Sequence, residues 1–134
     1  MEKYADETIK NLFLPASLNV KQKAVAAVKQ MIINTSQQSL CNTLLALADR
    51  NETCTHLAEI DIPVLIMVGR EDKITPPPTA LLMHDKIRDS QMHVLNHAGH
   101  LSNIENQYEF NYQLRSFVEL VSKRSFCLSD TDGN

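Results

Sequence analysis

The sequence predicts an α/β protein in which a helical first half is followed by strand, helix, strand and helix, with a two-stranded parallel sheet. Three observations support this class. A continuous apolar run over residues 62–68 ends in Gly69, which is typical of a strand buried on both faces. A second apolar run covers residues 92–95, and apolar residues at helical spacing lie between the two runs. Two strands joined by a helical crossover are parallel.

Composition and charge are those of an ordinary soluble globular protein. Its 134 residues are enough for one compact domain. The net charge of −3 argues against a nucleic-acid partner, because binding phosphates needs a surplus of Lys and Arg. The longest apolar stretch, residues 64–68, is too short to span a bilayer, so no membrane partner is expected. The odd number of cysteines, 3, and the lack of an apolar N-terminal run predict a reduced, cytoplasmic location.

The spacing of apolar residues in the first half of the sequence predicts two helices. Residues 1–18 show no strong period. From about Val20 to residues 34–36 apolar residues recur at helical spacing, and a second helix follows that Ser36 or Ser39 would cap. We expect the apolar stripe of this second helix to pack against the sheet; its members are Leu40, Leu44, Leu47 and Ala48.

A polar, proline-rich loop over residues 70–78 leads from the first strand into a helix. Proline has no backbone N–H to donate, so the three prolines that close this loop belong at or before the start of a helix. The helix is predicted over about residues 79–88. Its inward-facing residues are predicted to be Ala80, Met83 and Ile87.

The last helix begins with a capping signal. Asn106 stands at its start and Glu109 follows three residues later, which is the spacing of a capping box. Residues 125–134 are polar and predict a frayed tail. The predicted organisation is therefore a helical segment over residues 1–56, a strand–helix–strand–helix unit over residues 57–124, and the tail.

Two loops carry the residues that could do chemistry, and each follows the carboxyl end of a predicted strand. Asp72 lies in the first loop and His100 in the second. The carboxyl ends of neighbouring parallel strands meet at one rim of the sheet, where ligands bind in open α/β sheets. We therefore expect Asp72 and His100 to come within hydrogen-bond reach. A carboxylate that accepts from one ring nitrogen fixes the tautomer of a histidine general base.

The two motifs around these loops indicate a protein family strongly when they occur together, although each motif alone would be a weak signal. The first strand ends in Gly-x-x-Asp-x-x-x-Pro over residues 69–76, and the second in Ala-Gly-His-x-x-x-x-Glu over residues 98–105, before an aromatic-rich helix. From about residue 57 to residue 121 the sequence resembles the C-terminal half of α/β-hydrolases, and most closely small esterases, enol-lactonases and C–C bond hydrolases. The resemblance implies a partial α/β-hydrolase fold in which residues 1–56 are a remnant of the helical cap and the helix that leads into the sheet.

The resemblance also implies roles for the two loop residues. Asp72 matches the acid of the family's catalytic triad and His100 matches its base. Glu71 is the neighbouring candidate for the acid, but the spacing from Gly69 favours Asp72. The family's nucleophile elbow, Gly-x-Ser-x-Gly, has no counterpart among the three glycines of this sequence. We therefore expect the nucleophile to lie outside it, and serine, cysteine and aspartate all remain open.

No cofactor and no metal are expected. His97 and His100 are three residues apart, but no Glu or Cys completes a plausible ligand set with them. Glu105 is expected to order the turn into the last helix rather than to do chemistry.

Two functions of different classes follow. The first is the C-terminal portion of a serine-type hydrolase that acts on a small-molecule carboxylic ester, lactone or related acyl substrate; the chain by itself should be inactive. The alternative is a non-catalytic hydrolase-like module that self-associates, as a homodimer, or binds a partner through the exposed edge of the 62–68 strand. The sequence leaves open the substrate, the oligomeric state, and whether this short chain is natural or a truncated gene product.

Overall fold

The computed structural model describes residues 1–51 and 54–129. Four helices come first, and then two strands alternate with helices. In chain order the elements are α1 (Glu2–Leu12), α2 (Pro15–Val20), α3 (Gln22–Asn34), α4 (Gln37–Ala48), a 3-10 turn (Leu57–Glu59), β1 (Val64–Gly69), α5 (Pro77–Lys86), β2 (Ser90–Leu95), α6 (Ser102–Glu105) and α7 (Gln107–Ser129).

The first twenty residues form two helices, although residues 1–18 show no strong apolar period. Ala5, Ile9 and Phe13 are buried at four-residue spacing, so one face of α1 is apolar and packs against α3. Pro15 is the first residue of α2, where its missing N–H is not needed. The stripe was present in the sequence, but only three members long, and polar residues separate its members.

Helices α3 and α4 form where the sequence predicts them, and the Ser36 hydroxyl caps α4 by accepting from the Ser39 N–H. The predicted inner stripe of α4 is wrong: Leu44 is 48% and Leu47 56% exposed, and no residue of this helix is buried. The physical reason is that α5 and α7 contact both strands, whereas α4 makes no extensive contact with any element of the described chain.

The sheet consists of β1 and β2 in parallel, as predicted, with a register that runs from Val64 opposite Ser90 to Gly69 opposite Leu95. Side chains on one face of the sheet pack against α5 and the 3-10 turn. The core on this face contains Ile66, Val68, Ala80, Ile87, Val64, Met92, Val94, Leu57 and Ile60. The prediction that Met83 faces inward is wrong: it is 38% exposed, because it lies toward the edge of β1 where the described residues supply no third strand to cover it.

The C-terminal region adds one short helix, α6, that the sequence did not predict. Asn106 precedes α7 as the capping signal requires, because its side-chain oxygen accepts from the Glu109 N–H at 3.2 Å. The Asn106 amide in turn donates to the Glu109 carboxylate at 2.7 Å. Helix α7 continues to Ser129, five residues into the predicted tail 125–134, because no glycine or proline interrupts propagation there. Residues 130–134 lie outside the described residues.

Within the described ranges, every helix is too short or too polar to cross a membrane.

Candidate active site

The loops that follow β1 and β2 are joined by backbone hydrogen bonds. The Arg70 N–H donates to the Leu95 oxygen at 2.8 Å, and the Glu71 N–H donates to the Ala98 oxygen at 3.0 Å. The parallel pairing therefore continues past the strand ends and brings the two loops to one rim of the sheet, as the sequence predicts.

This close approach depends on Gly69. A Cβ atom at this position would collide with the backbone oxygens of Ala98 and Gly99. Because these are backbone atoms, no rotamer change relieves the collision, so only glycine allows the loops to meet at this distance. This requirement explains why the apolar strand ends in glycine, directly before the proline-rich loop over residues 70–78.

The Asp72 carboxylate is the acceptor at the centre of the first loop. Its Oδ1 accepts from the backbone N–H groups of Ile74 at 2.8 Å and Thr75 at 3.0 Å, and its Oδ2 accepts from the Thr75 hydroxyl at 2.9 Å. The side chain is only 4% exposed. A short polar side chain that bonds its own following backbone is typical of tight turns, and here it also fixes the direction of the carboxylate.

His100 completes this arrangement from the second loop. Its Nδ1 lies 3.0 Å from Asp72 Oδ2 and 3.3 Å from the Thr75 hydroxyl oxygen. The His100 backbone N–H donates to the Leu12 oxygen at 3.0 Å, so the first helical segment supports the same loop. The two sequence-predicted site residues are therefore in direct contact, 28 positions apart in the chain.

The ionisation of Asp72 follows from its surroundings. Burial alone raises the pKa of this carboxyl group, but the hydrogen bonds from the Thr75 N–H, from His100, from the Ile74 N–H and from the Thr75 hydroxyl together outweigh burial, so its pKa is lowered. The carboxylate is ionised at neutral pH and can only accept. His100 Nδ1 must then carry the proton, which leaves Nε2 as the free acceptor of a neutral ring.

An open cleft of about 410 Å³ runs along the whole of β1 and ends at this pair. Its walls are mostly apolar and include Thr79, Met83 and Ser102, and Asp72 and His100 also line it. The cleft lies on the β1 edge away from β2, where the described residues supply no third strand. The side chain of His100 is 32% exposed, so its ring is accessible from the cleft.

The fold agrees with the comparisons to known proteins. A family model described as TAP-like protein, of the α/β-hydrolase type, matches residues 27–119. The chain belongs to the α/β-hydrolase superfamily. Over 103 residues it is 33% identical to 3-oxoadipate enol-lactonase 1 of Acinetobacter baylyi, which corresponds to 77% of this chain and 36% of that protein. Over 74 residues it is 34% identical to a pimeloyl-(acyl-carrier protein) methyl ester esterase of Neisseria meningitidis, or 55% of this chain and 24% of that esterase.

Solved structures show the same fold. A thermophilic esterase from Thermogutta terrifontis superposes with a TM-score of 0.84 at 26% identity, over 88% of this chain and 43% of that one. An enol-lactonase from Burkholderia xenovorans gives a TM-score of 0.83 at 20% identity, over 89% of this chain and 45% of that one. The chain thus spans about a quarter to a third of the two curated relatives and less than half of the two solved structures.

Glu71, the other candidate acid, makes no hydrogen bond with His100. Its carboxylate accepts from the Ala98 N–H at 3.2 Å and so binds the backbone of the second loop. The structure therefore pairs His100 with Asp72, which is the choice that the spacing from Gly69 favours.

The other histidine of the second loop has a backbone role. His97 is exposed and adopts a positive φ of 52°, the left-handed conformation that lets the chain turn between β2 and His100. Among residues 1–51 and 54–129, no three His, Cys, Asp or Glu side chains are grouped in a way that could hold a metal ion.

The sequence missed how strongly Glu105 and the α1–α2 connection support the site. The Glu105 residue is 5% exposed, and its two oxygens accept from the Leu14 and Gly99 N–H groups, each at 2.7 Å. The only sequence signal was the position of Glu105 within the second motif. Its partner Leu14 lies 91 residues away and carries no signal, because the bond uses backbone.

Proposed function

We propose that this chain supplies the acid, Asp72, and the general base, His100, of a serine-type hydrolase that cleaves a carboxylic ester, a lactone or a related acyl compound. The nucleophile is carried by residues outside these 134. The observation that supports the proposal is the 3.0 Å contact between Asp72 Oδ2 and His100 Nδ1 at one end of an open, mostly apolar cleft.

The proposed mechanism uses the free ring nitrogen of His100. The external serine hydroxyl attacks the acyl carbon while His100 Nε2 accepts its proton, and the Asp72 carboxylate stabilises the imidazolium that results. His100 then returns the proton to the leaving oxygen as the carbon–oxygen bond breaks. A water molecule repeats the sequence on the acyl-enzyme, which releases the carboxylic acid and restores the serine.

The names of two relatives support the substrate class. One is an enol-lactonase and the other a methyl ester esterase, so both names describe cleavage of an acyl–oxygen bond. The apolar walls of the cleft fit a substrate with a hydrocarbon part beside its acyl group.

A fusion protein tests the proposal. The N-terminal part of the Acinetobacter enol-lactonase, up to the point where its similarity to this chain begins, is placed before the 134 residues. We expect p-nitrophenyl acetate hydrolysis by the fusion protein and none above background by the chain alone. The variant His100→Ala should lower turnover by on the order of 10³-fold or more.

His97→Asn is the matched control, because it removes an exposed histidine of the same loop and asparagine tolerates the left-handed backbone. It should leave turnover unchanged. Turnover by the fusion protein that survives His100→Ala would refute the assigned base. Turnover by the 134 residues alone that His100→Ala abolishes would show that the chain contains its own nucleophile.

The open edge of β1 favours a second candidate function, self-association into a homodimer. The Val64 N–H donates to the Asp89 oxygen and the Arg70 N–H to the Leu95 oxygen, so even-numbered residues bond on the β2 side. The N–H groups of Leu65 and Met67 then face the open edge, where a second copy can pair with them.

Sedimentation at tens of micromolar, on the order of ordinary interface affinities, tests this second candidate. Met67→Pro removes a donor from the open edge without removing a bond to β2 and should convert dimer to monomer. Met67→Ala is the control and should remain dimeric. A monomeric wild-type chain at this concentration would exclude the homodimer.

A further inference from the structure

The connection between α1 and α2 is joined to the His100 loop by four hydrogen bonds. Two are backbone bonds, from the His100 and Leu101 N–H groups to the Leu12 oxygen at 3.0 and 3.3 Å. The other two pass through the Glu105 carboxylate, one to each segment. The position of the imidazole thus depends on a segment that begins the chain.

Glu105 is a charged group that bridges this connection, and among the ion pairs of the described residues none involves its carboxylate. Lys21, the nearby cation, donates to the Ile104 oxygen instead. A buried carboxylate without a counterion is held only by its hydrogen bonds, and bonds to a charged acceptor are about twice as strong as neutral ones. Two amide groups at 2.7 Å therefore fix the carboxylate tightly, and the carboxylate in turn fixes both amides.

Gly99 allows this contact and lies next to the proposed base. A Cβ atom there would stand 3.1 Å from Glu105 Oε2, 3.1 Å from the Leu14 nitrogen and 3.2 Å from the Leu12 oxygen. Two other chain segments, Leu12–Leu14 and Glu105, thus converge on the residue before His100, at distances tighter than an ordinary Cβ contact. Any displacement of the carboxylate moves the peptide that carries His100.

We infer that Glu105 is a positioning residue: by holding the Gly99 N–H against the Leu12–Leu14 segment, its carboxylate sets the His100 ring on Asp72. The inference rests on the proposed function, since only a base needs its ring held in one orientation. It assigns to residues 12–14 a role in the site, so a change in the packing of α1 or α2 alters the orientation of His100.

The first test replaces the carboxylate. Glu105→Gln keeps the shape of the side chain but turns an amide NH₂ toward one of the two N–H donors, so one bond is lost. Glu109→Gln is the matched control, because Glu109 is also a carboxylate that accepts a backbone N–H, that of Asn96, but it does not contact residues 99–101. Ring ¹⁵N spectra of His100 report which nitrogen carries the proton.

The wild-type chain should show the proton on Nδ1. Glu105→Gln should move the population toward the Nε2-protonated form, and Glu109→Gln should leave it on Nδ1. In the fusion protein the same variant should lower kcat at least tenfold with KM within about twofold, because positioning affects the transition state more than binding.

The second test removes the other bond of the carboxylate and remains decisive if Glu105→Gln does not fold. Leu14 has φ −60° and ψ 139°, which proline adopts without strain, so Leu14→Pro deletes the N–H that donates to Glu105. Leu14→Ala removes the side chain and keeps the N–H. Only Leu14→Pro should shift the His100 tautomer.

The outcomes separate the inference from the proposed function. A His100 tautomer unchanged in folded Glu105→Gln, or unchanged in Leu14→Pro, would overturn the inference. A shift of equal size in Leu14→Ala would also overturn it, because side-chain packing and not the hydrogen bond would be responsible. An inactive fusion protein would overturn the proposed function alone, since the tautomer is measured without substrate.

Discussion

Replacing Asp72 by asparagine keeps the shape of the side chain at the centre of the site, but it replaces one of the two acceptor oxygens with an NH₂ group that donates hydrogen bonds. Four donors point at the carboxylate: the N–H groups of Ile74 and Thr75, the Thr75 hydroxyl and His100 Nδ1. The asparagine carbonyl can keep the two backbone donors. Its NH₂ group then faces the hydroxyl, which can rotate to accept, and His100 Nδ1, which must lose its proton to accept.

The loss of stability can be worked from these bonds. A hydrogen bond to a charged group contributes about 1.5–3 kcal/mol and a neutral one about 0.5–1.5 kcal/mol. The hydrogen bond that His100 Nδ1 donates to the Asp72 carboxylate is lost, and the two bonds from backbone N–H groups each weaken by about 1 kcal/mol. Burial of the charge in the wild-type protein offsets part of this difference. We therefore expect Asp72→Asn to lower the free energy of unfolding by about 2 kcal/mol at pH 7.

The effect has a defined pH dependence, because the pKa of Asp72 is lowered in the folded state. A lowered pKa stabilises the fold fully above the unfolded-state pKa of about 3.9, and the stabilisation is lost as the pH falls through the folded-state pKa. Asparagine does not titrate. The difference between wild type and Asp72→Asn should therefore be constant from pH 7 to about pH 5 and shrink below about pH 4.

Urea unfolding, monitored by far-ultraviolet circular dichroism, measures this difference in the free energy of unfolding, since the described chain is mostly helical. The matched control is Asp85→Asn, an exposed position on α5, which should stay within about 0.5 kcal/mol of wild type at neutral pH. A stability difference that stays constant down to pH 3, or that grows on acidification, would refute the reasoning. It would mean that the carboxylate is not the group whose hydrogen bonds stabilise the loop.

Three further variants test other parts of the site and its support. Gly69→Ala should destabilise the chain by about 3 kcal/mol or more in urea unfolding, because its methyl group meets backbone oxygens of the facing loop; a well-folded variant would contradict the geometry. Thr75→Val removes one donor to Asp72 and should raise the pKa of that carboxyl group in a ¹³C titration, with an unchanged pKa counting against the hydroxyl contact. Arg124→Ala breaks the half-exposed pair with Asp89 and should cost only about 0.2–1 kcal/mol, less at high salt; a larger loss would contradict that view of the pair.

The elements that the sequence predicts well are those whose signal is local and whose partners are adjacent in the chain. Strands β1 and β2 are contiguous apolar runs, and α5 lies between them and packs on both, so pattern and packing agree. Helix α4 is the opposite case. Its pattern predicts a helix and the helix forms, but which partner covers its apolar stripe is a tertiary property, and in the described chain the stripe is exposed.

The same distinction applies to three carboxylates of the site. Asp72, Glu71 and Glu105 differ little in chemistry, yet each accepts from a different backbone segment. Asp72 accepts from its own turn and Glu71 from the loop after β2. Glu105 accepts both from the loop after β2 and from the α1–α2 connection. Asp72 and Glu71 both follow the end of β1 at the rim of the sheet, so their spacing from Gly69 in the sequence was enough to choose between them. Nothing local distinguishes Glu105, because its partner at Leu14 is a backbone amide that any residue except proline would supply. A backbone partner has no residue identity that a motif could record, so only the three-dimensional structure reveals the contact that we propose orients His100.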